Sequence, residues 1–266
     1  MAMGVMGVHA ADKDMGKELR GLNAVVTGAS RGIGRDTALA LARAGANVAI
    51  NAATSLEEAG EVAGAVRALG VDSFPVRCDV ADPDAVTAMF DAVAGRWGAI
   101  DIVVNNAGIV DNAPAEAMTA AQWRRMIDVN LGGVFFCAQA AGRAMIVSGR
   151  GGSIVNVTSI CAHIVVAPQK QCHYNAAKGG VVMLTKSLAA EWAPHNIRVN
   201  AISPGYINTA LVAQMHDLHP AWEGRTPMAR LGQPHEIADV VAFLAGPRAS
   251  FVTGSDWIVD GGYECW

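Results

Sequence analysis

Seven short apolar runs, separated by longer stretches of helical periodicity, are the feature that most restricts how this chain can fold. The runs occupy residues 23–27, 47–51, 73–77, 100–104, 152–158, 196–202 and 257–259. Most positions in them are apolar and do not alternate strictly with polar ones, which is typical of strands buried on both faces of a sheet. Strands that alternate with helices form a parallel sheet, and right-handed crossovers place helices on both of its sides. The sequence therefore predicts an α/β fold with a doubly wound parallel sheet of about seven strands.

The turn between the first strand and the first helix favours this open sheet over an eight-fold α/β barrel. Residues 27–34 read TGASRGIG. Glycines at such a turn let the backbone approach a diphosphate, which then meets the N-terminus of the following helix. A barrel would also need one more clear strand–helix unit. The prediction is a Rossmann-type fold, with ligands bound at the C-terminal edge of the sheet.

The chain is predicted to form one domain at residues 18–266, after a flexible leader at residues 1–17. The 266 residues are 52% hydrophobic and 17% charged, so they can bury a sizeable core. The leader lacks the basic start and the hydrophobic centre of a signal peptide. No linker or internal repeat divides the rest.

Charge, hydropathy and cysteine content limit the partners. The net charge is -4 and the chain has no run of lysine and arginine, which argues against nucleic acid. No apolar run approaches the ~18 residues that span a bilayer, so no membrane association is expected. The five scattered cysteines contain no Cys-x-x-Cys and favour reduced thiols in a cytoplasmic protein. No metal site is predicted.

Two helix starts carry local signals. Asp82 followed by Pro83 has the order of a capping residue and a first helical proline. Ser55 followed by Glu58 has the spacing of a capping box.

Tyr174 and Lys178 stand four residues apart, so they project from the same face of a helix. A free tyrosine titrates near pH ~10 and is a poor acid or base at neutral pH. An ammonium held nearby lowers that pKa, so the pair is a candidate for proton transfer. An isolated pair of this kind is more often an ordinary surface pair, and the other motifs decide between the two interpretations.

Several motifs in their order along the chain resemble the short-chain dehydrogenase/reductase family. They are the Gly-x-x-x-Gly-x-Gly turn, the sequence NNAG at residues 105–108, and Tyr174-x-x-x-Lys178. Asp79, Asn130 and Ser159 complete the series, with Pro-Gly at residues 204–205. The resemblance covers about residue 22 to the C-terminus and predicts a nicotinamide-dependent oxidoreductase.

The resemblance implies a set of cofactor-binding residues at the strand ends. They are Gly28, Ser30, Arg31, Ile33 and Gly34 for the phosphates and ribose, Asn51 and Ala52 at the end of the second strand, Asp79 and Val80 for the adenine, Asn105, Ala107 and Gly108 along the cofactor, and Pro204, Gly205 and Ile207 for the carboxamide.

The resemblance also implies four catalytic residues. Tyr174 is the general acid or base, and Lys178 lowers its pKa and binds the nicotinamide ribose; both therefore contact the cofactor as well. Ser159 binds the substrate oxygen, and Asn130 holds Lys178 through a water. Taken alone, Asn130 also fits a helix kink, and Thr158 is an alternative to Ser159.

The distance between the serine and the tyrosine is unusual for this family. The commonest spacing would fall on Cys161, which cannot replace a serine well. The longer pattern from Ser159 to Tyr174, SICAHIVVAPQKQCHY, resembles sorbose reductases and galactitol or other polyol dehydrogenases. It favours a ketose or polyol-like substrate, with a simple prochiral ketone or a 3-oxoacyl thioester as the alternative. His163, Gln169 and Asn112 are polar candidates for binding its hydroxyls.

The cofactor is predicted to be NADP(H), with NAD(H) less favoured. NAD-binding relatives carry an acidic residue at the end of the second strand, whereas residues 51–55 read NAATS. Arg31 supplies a cation suited to a 2′-phosphate. The alternative is that Arg31 only faces solvent.

The predicted reaction is reversible hydride transfer between NADP(H) and a small-molecule carbonyl compound or secondary alcohol. A sensor or scaffold that only binds a dinucleotide is the non-enzymatic alternative, but such a protein is expected to have lost the tyrosine or the lysine. The resemblance also implies a homotetramer that pairs helices at residues 120–148 and 174–193.

Overall fold

The computed structural model describes residues 17–265, and only the backbone of Leu211. Its centre is a sheet of seven parallel strands in the order β3-β2-β1-β4-β5-β6-β7. The strands are β1 (Asn23–Val26), β2 (Asn47–Ala52), β3 (Ser73–Arg77), β4 (Ile102–Asn105), β5 (Gly152–Val157), β6 (Ile197–Pro204) and β7 (Asp256–Val259).

The topology confirms the predicted fold. Strand β1 pairs in parallel with both β2 and β4, so the chain reverses its direction across the sheet at this point. The reversal opens a crevice beyond the carboxyl ends of β1 and β4, which is where open α/β sheets bind ligands.

Helices cover both faces of the sheet. They are α1 (Gly32–Arg43), α2 (Leu56–Arg67), α3 (Pro83–Trp97), α4 (Ala120–Ile127), α5 (Gly133–Ser148), α6 (Cys172–Trp192), α7 (Ala210–Ala213), α8 (His219–Arg225) and α9 (Pro234–Ala245).

Two apolar cores lie on opposite faces of the sheet, because successive strand residues point in opposite directions. In β1, Val26 belongs to the core that contains residues of α1 and α9. Its neighbour Val25 belongs to the core that contains residues of α3 and α5. Both valines are fully buried. The strands are therefore buried on both faces, and their apolar runs could be read in the sequence for this reason.

The two predicted helix starts had different outcomes. The Asp82 carboxylate accepts hydrogen bonds from the backbone N–H groups of Asp84 at 2.9 Å and Ala85 at 3.2 Å, which confirms the cap of α3. The prediction of a capping box at Ser55 was wrong. Ser55 has φ −84° and ψ 63°, and its side chain makes no capping bond to α2.

The helical region at residues 120–148 is interrupted at its centre. A π-helical turn at Asp128–Gly132 joins α4 to α5. The stretch is long and apolar enough to cross a membrane by length and composition alone. However, Cys137, Ala141 and Met145 of α5 are buried in one of the two sheet cores. This stretch is therefore a core helix of the α/β fold.

Candidate active site

A continuous crevice follows the carboxyl edge of the sheet. Three adjoining cavities form it, with volumes of about 220, 460 and 160 Å³. The loop cavity lies beside the glycine-rich turn and Asp79, and the central cavity contains Asn130 and Lys178. The distal cavity lies against Tyr206 and Trp222. Ser159 and Tyr174 line both the central and the distal cavity.

The glycine-rich turn at the loop cavity has room for no side chain at Gly28. Its φ is +60°, and a Cβ there would lie 2.8 Å from the Cα of Ala107. The Asn51 side chain accepts a hydrogen bond from the Gly28 N–H at 3.2 Å and fixes the turn. Helix α1 then begins at Gly32 with no side-chain cap, which leaves N–H groups at its positive end. Such a helix end suits a diphosphate, so the turn fits a dinucleotide.

Most of the predicted cofactor residues line the crevice. In addition to Tyr174 and Lys178, they are Gly28, Ser30, Arg31, Ile33, Asn51, Ala52, Asp79, Val80, Ala107, Gly108, Pro204, Gly205 and Ile207.

Gly34 and Asn105 do not line the three cavities, and their contact with the cofactor stays a prediction. A Cβ at Gly34 would lie 2.4 Å from the Asn106 side chain, so this glycine allows close packing of α1. Asn105 is buried, and its amide donates to the Asn156 side chain at 2.8 Å. Both residues lie behind the cavity walls and hold the surrounding backbone in place.

Asn106, which the sequence analysis gave no role, holds the two loops together. Its amide donates to the carbonyl oxygens of Thr27 at 2.9 Å and Gly28 at 3.0 Å. The Thr27 hydroxyl in turn accepts from the backbone N–H groups of Asn106 and Ala107. The NNAG sequence was the available signal for this residue.

Two arginines line the loop cavity, and they differ in their partners. Arg125 of α4 forms an ion pair with Asp79 at 3.1 Å. Arg31 makes no side-chain hydrogen bond or ion pair within residues 17–265, and it also lines the central cavity. Arg31 is therefore a cation available to a ligand. Sequence reasoning missed Arg125, because nothing local connects it with the distant Asp79.

Tyr174 and Lys178 project from α6 into the central cavity. The Lys178 ammonium is buried, donates to the Val157 carbonyl at 2.8 Å, and lies 5.6 Å from the centre of the Tyr174 ring. Burial lowers the pKa of Lys178 to about 8.

Burial dominates the pKa of Tyr174, and the predicted lowering of this pKa by Lys178 stays a prediction. Burial raises the pKa of Tyr174 above its ordinary value, the nearby Cys161 thiol adds to the rise, and a hydrogen bond with Ser159 partly offsets it. The phenol is therefore protonated at neutral pH in the free protein. That state suits a proton donor.

Asn130 occupies the π-helical turn and also lines the central cavity. Its amide donates to the Ile109 carbonyl at 2.9 Å, and its oxygen accepts from the Ile109 N–H at 3.1 Å. A Cβ at Gly108 would lie 2.6 Å from the Asn130 oxygen and 3.7 Å from the Lys178 nitrogen. The glycine thus keeps the space between them open. The predicted water between Asn130 and Lys178 remains a prediction.

The geometry distinguishes Ser159 from its neighbours. The Thr158 hydroxyl is turned toward β6, where it lies 2.9 Å from the Ile202 carbonyl. The Ser159 oxygen accepts from the Cys161 N–H at 3.2 Å at the edge of the distal cavity. Cys161 also lines that cavity, and burial raises the pKa of its thiol. Ser159 is the hydroxyl that faces both cavities.

An aromatic stack that the sequence did not reveal forms one wall of the distal cavity. The rings of Tyr206 and Trp222 lie 4.1 Å apart and nearly parallel. Tyr263, from the C-terminal segment, packs edge-on against Tyr206 at 5.3 Å. The Gln169 amide oxygen accepts from the Tyr206 hydroxyl at 3.1 Å and from the Trp222 indole N–H at 3.2 Å. The stack joins residues from distant segments, so only the folded chain brings it together.

The remaining lining of the distal cavity is mostly apolar. Gln169 and Asn112 contribute to it as expected, but His163 does not. Among the described residues, no charged side chain lines this cavity. Its apolar lining comes from Val110, Ile160, Val166, Val212 and Met215.

Comparison with known proteins connects this geometry to a family. A family model described as Enoyl-(Acyl carrier protein) reductase matches residues 28–264. The chain is 45% identical over 252 residues to galactitol 2-dehydrogenase of Rhizobium johnstonii, covering 93% of this chain and 97% of that protein. It is 44% identical over 241 residues to 3-oxoacyl-(acyl-carrier-protein) reductase FabG of Staphylococcus aureus, covering 90% and 97%.

Two solved structures share the fold over nearly their whole length. A short-chain type dehydrogenase/reductase from Mycobacterium marinum has a TM-score of 0.91 and 46% identity, covering 93% of this chain and 97% of that one. A gluconate 5-dehydrogenase from Burkholderia cenocepacia, in complex with NADP and tartrate, has a TM-score of 0.87 and 39% identity, covering 94% and 98%.

Proposed function

The chain belongs to the short-chain dehydrogenase/reductase family of oxidoreductases, and on that basis we propose that it transfers a hydride reversibly between NADP(H) and a carbonyl compound or secondary alcohol. The observation that carries the proposal is the convergence of Asn130, Ser159, Tyr174 and Lys178 on one cavity. A bound nicotinamide supplies the hydride, and the protein supplies position and a proton.

In the direction of carbonyl reduction, Tyr174 donates a proton to the developing alkoxide. Ser159 donates a hydrogen bond to the same oxygen and stabilises its charge. Lys178 provides a cation beside the phenol, and the burial that lowers its pKa to about 8 makes it able to return a proton near neutral pH. A site equipped in this way argues against a protein that only senses a dinucleotide.

The NADP(H) preference rests on Arg31. It lines the loop cavity without a partner among the described residues, and Ala52 and Ala53 stand where a ribose-binding carboxylate would repel a 2′-phosphate. The gluconate 5-dehydrogenase of similar fold carries NADP. Guanidinium groups bind phosphate strongly and bidentately.

Arg31→Ala tests the preference. Loss of the cation should raise the KM for NADPH about 10-fold or more and leave the KM for NADH within about twofold, in line with the ~1.5–3 kcal/mol of a charged hydrogen bond. Steady-state kinetics with both cofactors measures this. Arg35→Ala is the matched control, because Arg35 is one turn further along α1 and pairs with Asp36 at 2.9 Å. Equal losses for NADPH and NADH would contradict the preference.

A ketose or polyol-like substrate is proposed from the spacing of Ser159 and Tyr174. The similarity to galactitol 2-dehydrogenase supports it. In the distal cavity, the side chains of Asn112, Gln169 and Gln171 offer amide groups to hydroxyls.

A second substrate class is favoured by the rest of the distal cavity. The wall formed by Trp222, Val166 and Met215 has no charged group and suits a ketone with an apolar body, or a 3-oxoacyl thioester. The similarity to the 3-oxoacyl reductase supports the thioester.

A carbonyl panel tests the function and separates the two classes. NADPH oxidation is measured with L-sorbose, cyclohexanone and an acetoacetyl thioester, and NADP⁺ reduction with galactitol. The proposal predicts turnover of at least one of them, and the highest kcat/KM identifies the class. A pure protein that binds NADPH but turns over no carbonyl compound or alcohol would support a sensor instead.

The assembly is proposed to be a homotetramer in the cytoplasm, without nucleic acid or membrane partners. Exposed apolar side chains on α5 and α6 support pairing of these helices between subunits. Phe135 is 37% exposed, Val147 88% and Met183 61%.

A further inference from the structure

A chain of hydrogen bonds runs from the strand end before Ser159 to the turn after it. The Thr158 hydroxyl contacts the Ser203 hydroxyl in β6. The Ser203 oxygen lies 2.9 Å from both carboxylate oxygens of Asp256 in β7. The same carboxylate lies 2.7 Å from the Nε2 atom of His163. Asp256 therefore connects two residues that flank Ser159 in sequence.

The direction of these bonds follows from the chemistry of the groups. An ionised carboxylate only accepts hydrogen bonds, so Nε2 of His163 carries a proton and donates it to Asp256. Ser203 has one hydroxyl proton, and it also donates to Asp256. The one hydroxyl proton of Thr158 is shared between the Ile202 carbonyl, 2.9 Å away, and the Ser203 oxygen. Thr158, Ser203 and the Asp256 side chain are at least nine-tenths buried.

Ser203, Asp256 and His163 are the residue types of a hydrolytic Ser–His–Asp site. The geometry of their hydrogen bonds excludes that role. Ser203 is fully buried, so no substrate can reach its oxygen. Nε2 of His163 lies 3.3 Å from the Ser203 oxygen, but it donates its proton to Asp256 at 2.7 Å, so it is not available as the base that a nucleophilic serine needs. These hydrogen bonds therefore have a structural role: they form an anchor that ties the turn after Ser159 to strands β6 and β7.

We propose that His163 is a positioning residue, which holds the Ser159 hydroxyl in place through Asp256. The turn that presents Ser159 is only three residues long, Ile160–Ala162, and His163 is its last anchor. Thr158 fixes the turn at its start, and His163 fixes it at its end. Ser159 lies between two tied points, which limits how far its oxygen can move from Tyr174. This inference rests on the proposed role of Ser159 in carbonyl binding.

The anchor assigns a role to a motif residue that was one of three polar candidates for binding substrate hydroxyls. His163 lies outside the distal cavity, with 29% of its side chain exposed. His163 follows Ser159 by four positions, so the three residues of the turn lie between them. In the Ser-x-x-x-His pattern, the histidine thus fixes the position of the serine hydroxyl.

Two substitutions of His163 distinguish loss of the hydrogen bond to Asp256 from other effects of replacing the imidazole. In His163→Gln the amide nitrogen can occupy the position of Nε2 and donate to Asp256, whereas in His163→Asn it falls near Nδ1 and cannot. Both replacements are uncharged and polar. We expect kcat to fall about tenfold in the Asn variant and to stay within about twofold in the Gln variant, since a displacement of ~1 Å can cost up to ~100-fold. The Kd for NADPH should be unchanged in both.

A double-mutant cycle tests whether His163 acts through Ser159. In a Ser159→Ala background, the Asn and Gln variants should have the same kcat, because the hydroxyl to be positioned is absent. The same tenfold difference in that background, or no difference in the Ser159 background, would overturn the inference. If His163→Asn does not fold, Ser203→Ala breaks the same chain, and its kcat should fall only where Ser159 is present. Failure of the proposed function is separate, because wild-type protein would then show no turnover.

Discussion

Burial affects the pKa values of Tyr174 and Lys178 at least as much as the two residues affect each other. Lys178 is buried and Tyr174 partly buried, and burial disfavours the phenolate and the ammonium alike. The phenol stays protonated while the lysine becomes easier to deprotonate. In the free protein this pair is a proton donor with a nearby amine of adjustable charge, instead of a preformed phenolate.

The pH dependence of carbonyl reduction follows from the lysine. Below pH 8 Lys178 is charged, and above that value it loses its proton, because its pKa is lowered to about 8. We expect kcat/KM for carbonyl reduction with NADPH to fall roughly tenfold per pH unit above pH ~8. Circular dichroism at each pH shows whether the protein stays folded. A kcat/KM that stays constant to pH ~9.5 would contradict this assignment.

Individual residues could be predicted from the sequence only where the motif is local. Tyr174 and Lys178 share one helix, and Gly28 shares one turn with Arg31. In contrast, Arg125 meets Asp79 and Trp222 meets Tyr206 through long-range packing, which no spacing encodes. The aromatic wall of the substrate cavity could therefore not be predicted from the sequence.

At the scale of single elements, the strands were predictable because each is buried on both faces. Predicted and observed strands differ by at most two residues at an end, as in β4, which begins at Ile102. The π-helical turn at Asp128–Gly132 was not predictable, since DVNLG contains no residue that forbids an ordinary helix. Asn130 lies in this turn and lines the central cavity, so the break between α4 and α5 forms part of the candidate active site.

Helix capping gives a matched pair of stability predictions. Asp82→Ala removes the two capping bonds of α3 and should destabilise the protein by ~1 kcal/mol, or about 2–4 °C in Tm. Ser55→Ala should change Tm by less than about 1 °C, because Ser55 makes no capping bond. Thermal unfolding followed by circular dichroism compares the two. Equal shifts would mean that the Asp82 bonds contribute nothing to stability.

At the scale of the whole molecule, the exposed face of α5 and α6 is the proposed subunit interface. A homotetramer should elute with four times the 27.6 kDa mass of one chain. Met183→Glu places a charge in this interface and should reduce the mass to that of a dimer or monomer, because burying an unpaired charge is costly. Light scattering after size exclusion measures the mass.

Leu69→Glu is the control for the assembly prediction. Leu69 is 40% exposed in the turn after α2, outside α5 and α6, so its replacement should leave the mass unchanged. A wild-type monomer, or a Met183→Glu protein with the wild-type mass, would contradict the proposed interface.

The proposed mechanism depends most directly on Tyr174 as the proton donor beside a bound nicotinamide. Tyr174→Phe removes only the hydroxyl and keeps the ring that packs near Lys178. The decisive measurement is kcat with NADPH and the best carbonyl substrate, together with the Kd for NADPH from fluorescence. We predict a loss of about 10³-fold or more in kcat with a Kd within about twofold of wild type. A kcat within about tenfold of wild type would contradict the mechanism.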